Sequence, residues 1–247
     1  MDVLYKDFGT VAVGARMGGA VDPVFVKSYL NLALGGLRDG DKVLPPAIEL
    51  PHHWAANVVA REFLTKTECD TLLMLDDDMT FGGDALERLR SNADSYPYGM
   101  VQGLCCSAKA GHGPLLLAEA GDYYSPMRPE PGDGVVEVGM VGLAFTLIRR
   151  STFQSVADNK QAAELFFAWG STGTGEDAWF CKAARRAGIR FAVDCKVSIG
   201  HRVPVNVTWD AEKDTAGYHT YRNSPFLELL SDAQNTQDKQ TTQEKEA

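Results

Sequence analysis

No CxxC pair occurs in this 247-residue sequence, and its five cysteines, at 69, 105, 106, 181 and 195, are odd in number. That argues against a disulfide framework and predicts reduced, buried thiols in a cytoplasmic protein. Basic charge is short as well. The 24 Lys and Arg face 33 Asp and Glu, a net charge of −9. A sequence-independent nucleic-acid binder usually carries a basic face, so that class is disfavoured, although a small local basic groove stays open. No apolar stretch approaches the length that spans a bilayer. Met1 to Asp7 lack the basic-then-apolar order of a signal peptide. Neither an internal repeat nor a second domain is evident.

What is present suits a soluble globular chain: 45% hydrophobic and 23% charged residues. The length allows one large domain with a substantial core. The organising stretch is Thr71-Leu72-Leu73-Met74-Leu75-Asp76-Asp77-Asp78. Its apolar run predicts a buried strand of a parallel sheet. Alternation along an extended segment puts Asp76 and Asp78 on one side and Asp77 on the other. Adjacent carboxylates repel, and a divalent cation at the strand's C-terminal edge would neutralise them. A solvated acidic turn leading into the helix near Gly83 explains the same residues.

Upstream, Val11-Ala12-Val13 reads as the first strand, with Gly14 to Gly19 as a flexible loop at its C-terminal end. Nucleotides tend to sit at that place in an open α/β sheet, but GxGxxG is absent. Asp22-Pro23 predicts a helix start, with Phe25, Tyr29, Leu32 and Ala33 on one face and Gly35-Gly36 as its stop. Lys42-Val43-Leu44 could begin a second strand before Pro45-Pro46. Pro51 opens a helix to about Leu64. His52 and His53 in its first turn cannot share a face, so they suit surface or capping roles.

Beyond the aspartates, residues 84–92 read as a helix and 100–106 as an apolar strand. Ser107 to Pro114 reads as a mobile loop, and Glu119 to Gly134 as a long irregular insertion. Tyr123, Tyr124 and Met127 in that insertion either contact an acceptor or pack on the body. Val135 to Arg150 reads as a strand pair or a bent strand, and Ser151 opens a short helix. The glycine-rich run to Gly175 lacks the Lys of a P-loop. Glu176 and Asp177 start the next helix, which Gly188 ends. Two short strands, 190–193 and 196–199, precede Gly200-His201-Arg202. Asn206-Val207-Thr208 fits a glycosylation sequon, which carries no weight without a secretion signal. From Ser231 the composition is too polar to order itself.

Hard carboxylates with one imidazole suit Mn²⁺, and Mg²⁺ also fits. At this point the sequence resembles the GT-A fold glycosyltransferases of family 2, of the type found in bacteria and phages. The resemblance covers roughly residues 8–203. It rests on the apolar strand with Asp76-Asp77-Asp78 and on Val138-Gly139-Met140-Val141-Gly142 leading to Ile148-Arg149-Arg150. Gly175-Glu176-Asp177-Ala178-Trp179-Phe180 and the late Gly200-His201 complete it.

The resemblance implies a single Rossmann-like α/β domain, with a mostly parallel central sheet flanked by helices, taken as residues 1–230; composition makes residues 231–247 a disordered polar tail. It implies a nucleotide-sugar donor, with UDP as the nucleotide, bound through Mn²⁺ or Mg²⁺. Asp78 and His201 would hold the metal, and Asp76 would sit near the ribose or share the metal. Asp77 and the segment Ala12 to Arg16, including Gly14 and Ala15, would line the nucleotide pocket. Asp177 would match the general base of inverting members, with Glu176 beside it. The Gln-x-x-Arg-Trp motif of processive synthases is missing, so transfer of a single sugar is expected. The acceptor stays open among protein, glycan, lipid headgroup and hydroxylated DNA base, in a bacterial or phage-infected cytoplasm. Two other readings remain: a haloacid-dehalogenase-type phosphohydrolase using Asp76 and Asp78, and a non-catalytic sugar-binding relative.

Overall fold

The structure is a computed structural model, and it describes residues 7–106, 113–120, 123–130, 132–159, 165–170, 175–203, 205–210 and 215–220. The expectations for residues 107–112, 171–174 and 231–247 lie outside these. By contacts the chain divides into two compact units, one of residues 1–107 with 112–202 and one of residues 108–111 with 203–247.

In the first unit the chain opens with β1 (Val11–Met17), α1 (Pro23–Gly35), β2 (Lys42–Val43), β3 (Ala47–Ile48) and α2 (His52–Lys66). It continues with β4 (Thr71–Asp76), β5 (Met79–Thr80), α3 (Ala85–Ser91) and β6 (Met100–Cys105). Next come β7 (Leu116–Ala120), β8 (Tyr123–Met127), β9 (Val135–Val138), β10 (Phe145–Arg149) and α4 (Arg150–Asp158). The unit ends with α5 (Glu176–Arg186) and β11 (Phe191–His201). The second unit contributes an antiparallel hairpin, β12 (Val205–Asp210) with β13 (Thr215–Thr220).

The nine-stranded sheet runs β2-β1-β4-β10-β6-β11-β5, with β3 beside β1 and β9 beside β11. It is mixed and mostly parallel. Strand β1 pairs parallel to β4, and β6 parallel to β11, while β10 runs antiparallel between β4 and β6. Odd and even positions of the central strands bury opposite faces. Ala12, Leu72, Met74 and Met100 pack under Val59 and Phe63 of α2, Phe153 of α4 and Phe180 of α5. Val11, Val13, Leu73 and Leu75 pack under Phe25 and Leu32 of α1 and Leu86 and Leu89 of α3. Burial on both faces explains the continuous apolar runs of β1 and β4.

The expected helix starts hold. The Asp22 side chain accepts from the Val24 N–H at 2.7 Å, with Pro23 first in α1. Gly188 sits at φ +79° just after α5. Four expectations are corrected. Gly14 to Met17 belong to β1, not to a loop, because the ladder with β4 continues to Arg16↔Asp76. Within the insertion expected to be irregular, Glu119 to Gly134, residues 119–120 and 123–127 are strand and belong to the hairpin β7–β8. Strands β9 and β10 do not pair with each other: β9 joins β11, and β10 is inserted between β4 and β6. The two late strands are one, β11, whose register with β6 shifts between Asp194 and Ser198.

Candidate active site

The residues proposed for chemistry gather where β1 and β4 end and α5 begins. Parallel pairing sets Arg16 beside Asp76. The Arg16 guanidinium is buried, 5% exposed. Its Nε donates to Asp76 Oδ1 at 2.7 Å and its Nη2 to Asp76 Oδ2 at 2.9 Å. Its Nη1 donates to Glu176 Oε1 at 3.1 Å, which ties β1 to the first turn of α5. Burial works against the charge of this guanidinium, but Asp76, Asp177 and Glu176 outweigh it and raise its pKa. Arg16 is thus a fixed cation that joins two carboxylates from distant parts of the chain.

Asp177 lies next to Glu176 in the first turn of α5. Its carboxylate oxygen Oδ1 is enclosed and has no hydrogen-bond partner among the described residues. Burial pushes this carboxyl up to about 7. Arg16 opposes the rise, Glu176 and Asp76 add to it, and the Leu143 N–H opposes it. Ionisation of Asp177 at neutral pH is the expectation from the helix dipole alone. Desolvation outweighs the dipole, and near pH 7 the group is divided between its two protonation states.

Strand β4 stops at Asp76, and residues 77 and 78 form a turn before β5. The simple alternation of the three aspartates therefore breaks, and each takes a different partner. Asp76 faces Arg16. Asp77 Oδ2 accepts the Gly18 N–H at 2.6 Å, and burial raises its pKa against that bond. Asp78 Oδ2 meets His201 Nε2 at 3.1 Å, since β5 and β11 are antiparallel neighbours with His201 opposite Met79. Gly200 stands opposite Thr80, and a Cβ there would come within 2.3 Å of Thr80 Oγ1. Glycine at 200 is what lets the two strands close.

His201 Nδ1 donates to the Cys106 carbonyl at 3.0 Å. The hydrogen bond to Asp78, with a further one to Cys105, pushes the imidazole up to about 10 against its burial. The Nδ1 contact fixes the orientation of the ring and leaves Nε2 as the atom aimed at Asp78. Among the described residues, no three His, Cys, Asp or Glu side chains stand together as a ready metal cage. Asp78 and His201 nonetheless offer one oxygen and one nitrogen facing each other, a donor pair that fits Mn²⁺ or Mg²⁺ if a substrate supplies further oxygens. Such a cation would take the place of the proton the pair now shares.

The expected nucleotide-lining residues divide. Ala12 and Ala15 are buried in the core on opposite faces of the sheet. Gly14 lies under α2, where a Cβ would come within 2.2 Å of Val59 Cγ1. Only Arg16 of that segment reaches the carboxylates. The sequence reading missed Gln102 and Leu143, and it gave Gly142 no role at the site. Gln102 Oε1 accepts the Gly142 N–H at 2.8 Å, and Leu143 places its N–H on Asp177. A signal was present for Gln102, the one amide in the apolar run 100–105.

No protein-family model matches the sequence, and no curated protein matches it. Solved structures do. The chain is similar to A197 from STIV, with 15% identity and a TM-score of 0.54 over 85% of this chain and 94% of that one. It is also similar to GalNAc-T7, solved with UDP, GalNAc and Mn²⁺, with 11% identity and a TM-score of 0.54. That match covers 78% of this chain and 43% of the other, so the chain spans less than half the length of GalNAc-T7. At such identities the likeness is one of fold, an α/β architecture consistent with GT-A. No helix among the described residues is long and apolar enough to cross a membrane.

Proposed function

We propose that this chain is a metal-dependent glycosyltransferase. It moves a single sugar from a nucleotide-sugar donor, with UDP as the nucleotide, to an acceptor hydroxyl with inversion. The observation that carries this reading is the meeting of Arg16, Asp76, Glu176 and Asp177 at the strand ends of a sheet similar to that of a UDP- and Mn²⁺-bound transferase.

Asp177 is the general base. A carboxyl held at about 7 accepts a proton near neutral pH without being so weak a base that transfer stalls. The acceptor O–H gives its proton to Asp177 while its oxygen bonds to the anomeric carbon. The bond from that carbon to the diphosphate oxygen breaks, and the electron pair leaves with the diphosphate. Asp78 and His201 would hold a divalent cation, which would supply stabilisation of the leaving diphosphate's charge. Arg16 keeps Asp76 and Glu176 in place and prevents three carboxylates from sharing one proton-hungry site. Asp77, on the Gly18 N–H, fixes the loop after β1 on the nucleotide side.

The phosphohydrolase reading needs Asp76 as a nucleophile. Both of its oxygens are engaged by Arg16, which blunts that role.

The test is a panel of nucleotide sugars incubated with the protein and Mn²⁺. Slow release of UDP from one donor, lost when the metal is chelated, is the expected result. Release of phosphate from a generic phosphomonoester, with no UDP-sugar turned over, would sink the proposal.

A further inference from the structure

Tryptophan is a residue that folding hides, because its large ring loses most by staying in water. Three of the four in this chain are left out. Trp54 is 48% exposed, Trp169 58% and Trp179 38%.

The fold brings the segments that carry them to one edge of the sheet. Strands β3 and β4 both pair parallel to β1, so α2, which joins them, runs back along the sheet from its C-terminal edge. Gly14 of β1 lies under Val59, and Trp54, in the first turn of the same helix, stands nearer that edge. Trp179 lies in the first turn of α5, whose Glu176 meets Arg16 at the end of β1. Residues 165–170 bridge the two helices. Asn57 of α2 accepts the Phe166 and Phe167 N–H groups on Oδ1 at 2.9 and 3.2 Å and donates from Nδ2 to the Phe167 carbonyl at 2.6 Å. The Phe167 ring in turn packs on Phe180 of α5, with 4.6 Å between centroids. Trp169 follows on this bridge. An indole exposed to this degree adds little to the core, and three on adjoining segments make an aromatic patch at the edge that holds the carboxylates.

The charge of the neighbourhood narrows the occupant. Asp76, Asp77, Asp78, Glu176 and Asp177 stand at this edge, and the chain carries a net charge of −9. Such a surface repels the phosphates of a nucleic acid and anionic lipid headgroups unless a cation stands between. A neutral sugar ring is not repelled. Its C–H groups present an apolar, slightly positive face to the negative face of an indole, and its hydroxyls donate to carboxylates.

We propose that Trp54, Trp169 and Trp179 form a stacking platform for a neutral glycan, the acceptor of the transfer. The role as acceptor rests on the transferase reading; binding of a neutral glycan to the platform does not.

The test is binding, read on the whole chain without donor or metal. The indole N–H signals of ¹⁵N-labelled protein are assigned through Trp54→Phe, Trp169→Phe and Trp179→Phe, then followed as chitohexaose, cellohexaose or maltohexaose is added. A single-stranded thymidine oligonucleotide and phosphatidylglycerol vesicles are the competing probes. At least one oligosaccharide should shift the three signals saturably, and neither competing probe should. Alanine at any one of the three positions should weaken that binding about tenfold, the scale of one lost aromatic stack, and phenylalanine by less. The three side chains are exposed, so these variants are expected to fold. Signals that none of the oligosaccharides moves overturn the proposal. So do shifts produced by the oligonucleotide or the vesicles instead, and so does binding that survives alanine at all three positions. UDP release by a protein that fails this titration would leave the transferase reading standing and remove only the glycan platform. Glycan binding with no donor turned over would do the reverse.

Discussion

Arg16 and Asp76 face each other in the parallel register of β1 and β4, joined by hydrogen bonds of 2.7 and 2.9 Å. The same guanidinium reaches Glu176, so a buried cation is shared by two acids. Arg16→Met leaves both acids in place without it. Breaking a buried pair in this way is expected to destabilise the fold by about 3 kcal/mol or more. Arg16→Lys keeps the charge but loses the fork, and should fall between the two. Urea denaturation checks this; a midpoint in Arg16→Met equal to that of the wild type would refute it.

Asp177→Asn keeps the size of the side chain. Donor and metal binding should persist, while sugar transfer falls by roughly 10²-fold or more. Near wild-type transfer would remove Asp177 as the base and turn attention to Glu176.

The same variant has a second signature. The folded-state carboxyl of Asp177 is raised to about 7, above its ordinary value. Between roughly pH 4 and 7 the folded protein holds a proton that the unfolded chain has released. The stability from this group is full below that window and is lost as pH rises through it. Asparagine cannot ionise, so the stability of Asp177→Asn relative to wild type should climb with pH. Denaturation at about pH 4.5 and about pH 7.5 reads the difference. A constant gap would mean that Asp177 titrates normally.

Asp78→Ala removes one half of the pair with His201. Calorimetry with UDP should show that Mn²⁺ no longer strengthens binding. If binding stays as tight and as metal-dependent as in the wild type, the metal assignment is wrong.

Gly14 is a structural glycine. Gly14→Ala drives a Cβ to within 2.2 Å of Val59 Cγ1, which should cost about 1–3 kcal/mol. Adding Val59→Ala should recover part of that loss in thermal melts. No recovery in the double variant would show that the glycine acts on something other than helix α2.

Local chemistry was legible in the sequence. Asp22-Pro23, Gly188 and the run from Thr71 to Asp76 behave as their residue types require. What could not be read were relations set by strand order. Residues 14–17 look like a loop because glycine and arginine interrupt an apolar run. Only the ladder to β4 and the waiting carboxylates make that segment a strand. The separation of β9 from β10 follows from which edges were free in the sheet, and no spacing encodes that. At the candidate site, the residue types of Asp177 and His201 were visible. The partnership of Asp76 with Arg16, and the raised carboxyl of Asp177, depend on burial that only the fold creates.

The contact between Arg16 and Glu176 joins residues 160 apart in the chain. Closing so long a loop is slow, because the entropy must be lost before the contact repays it. Arg16 and Asp76 precede Glu176 in the chain, so the second acid joins the pair only after the intervening strands and helices have been made. The buried network of Arg16, Asp76 and Glu176 is therefore expected to close late in folding. A chain whose sheet and α5 have not met lacks the buried Arg16–Glu176 contact, so formation of that contact reports on completed folding.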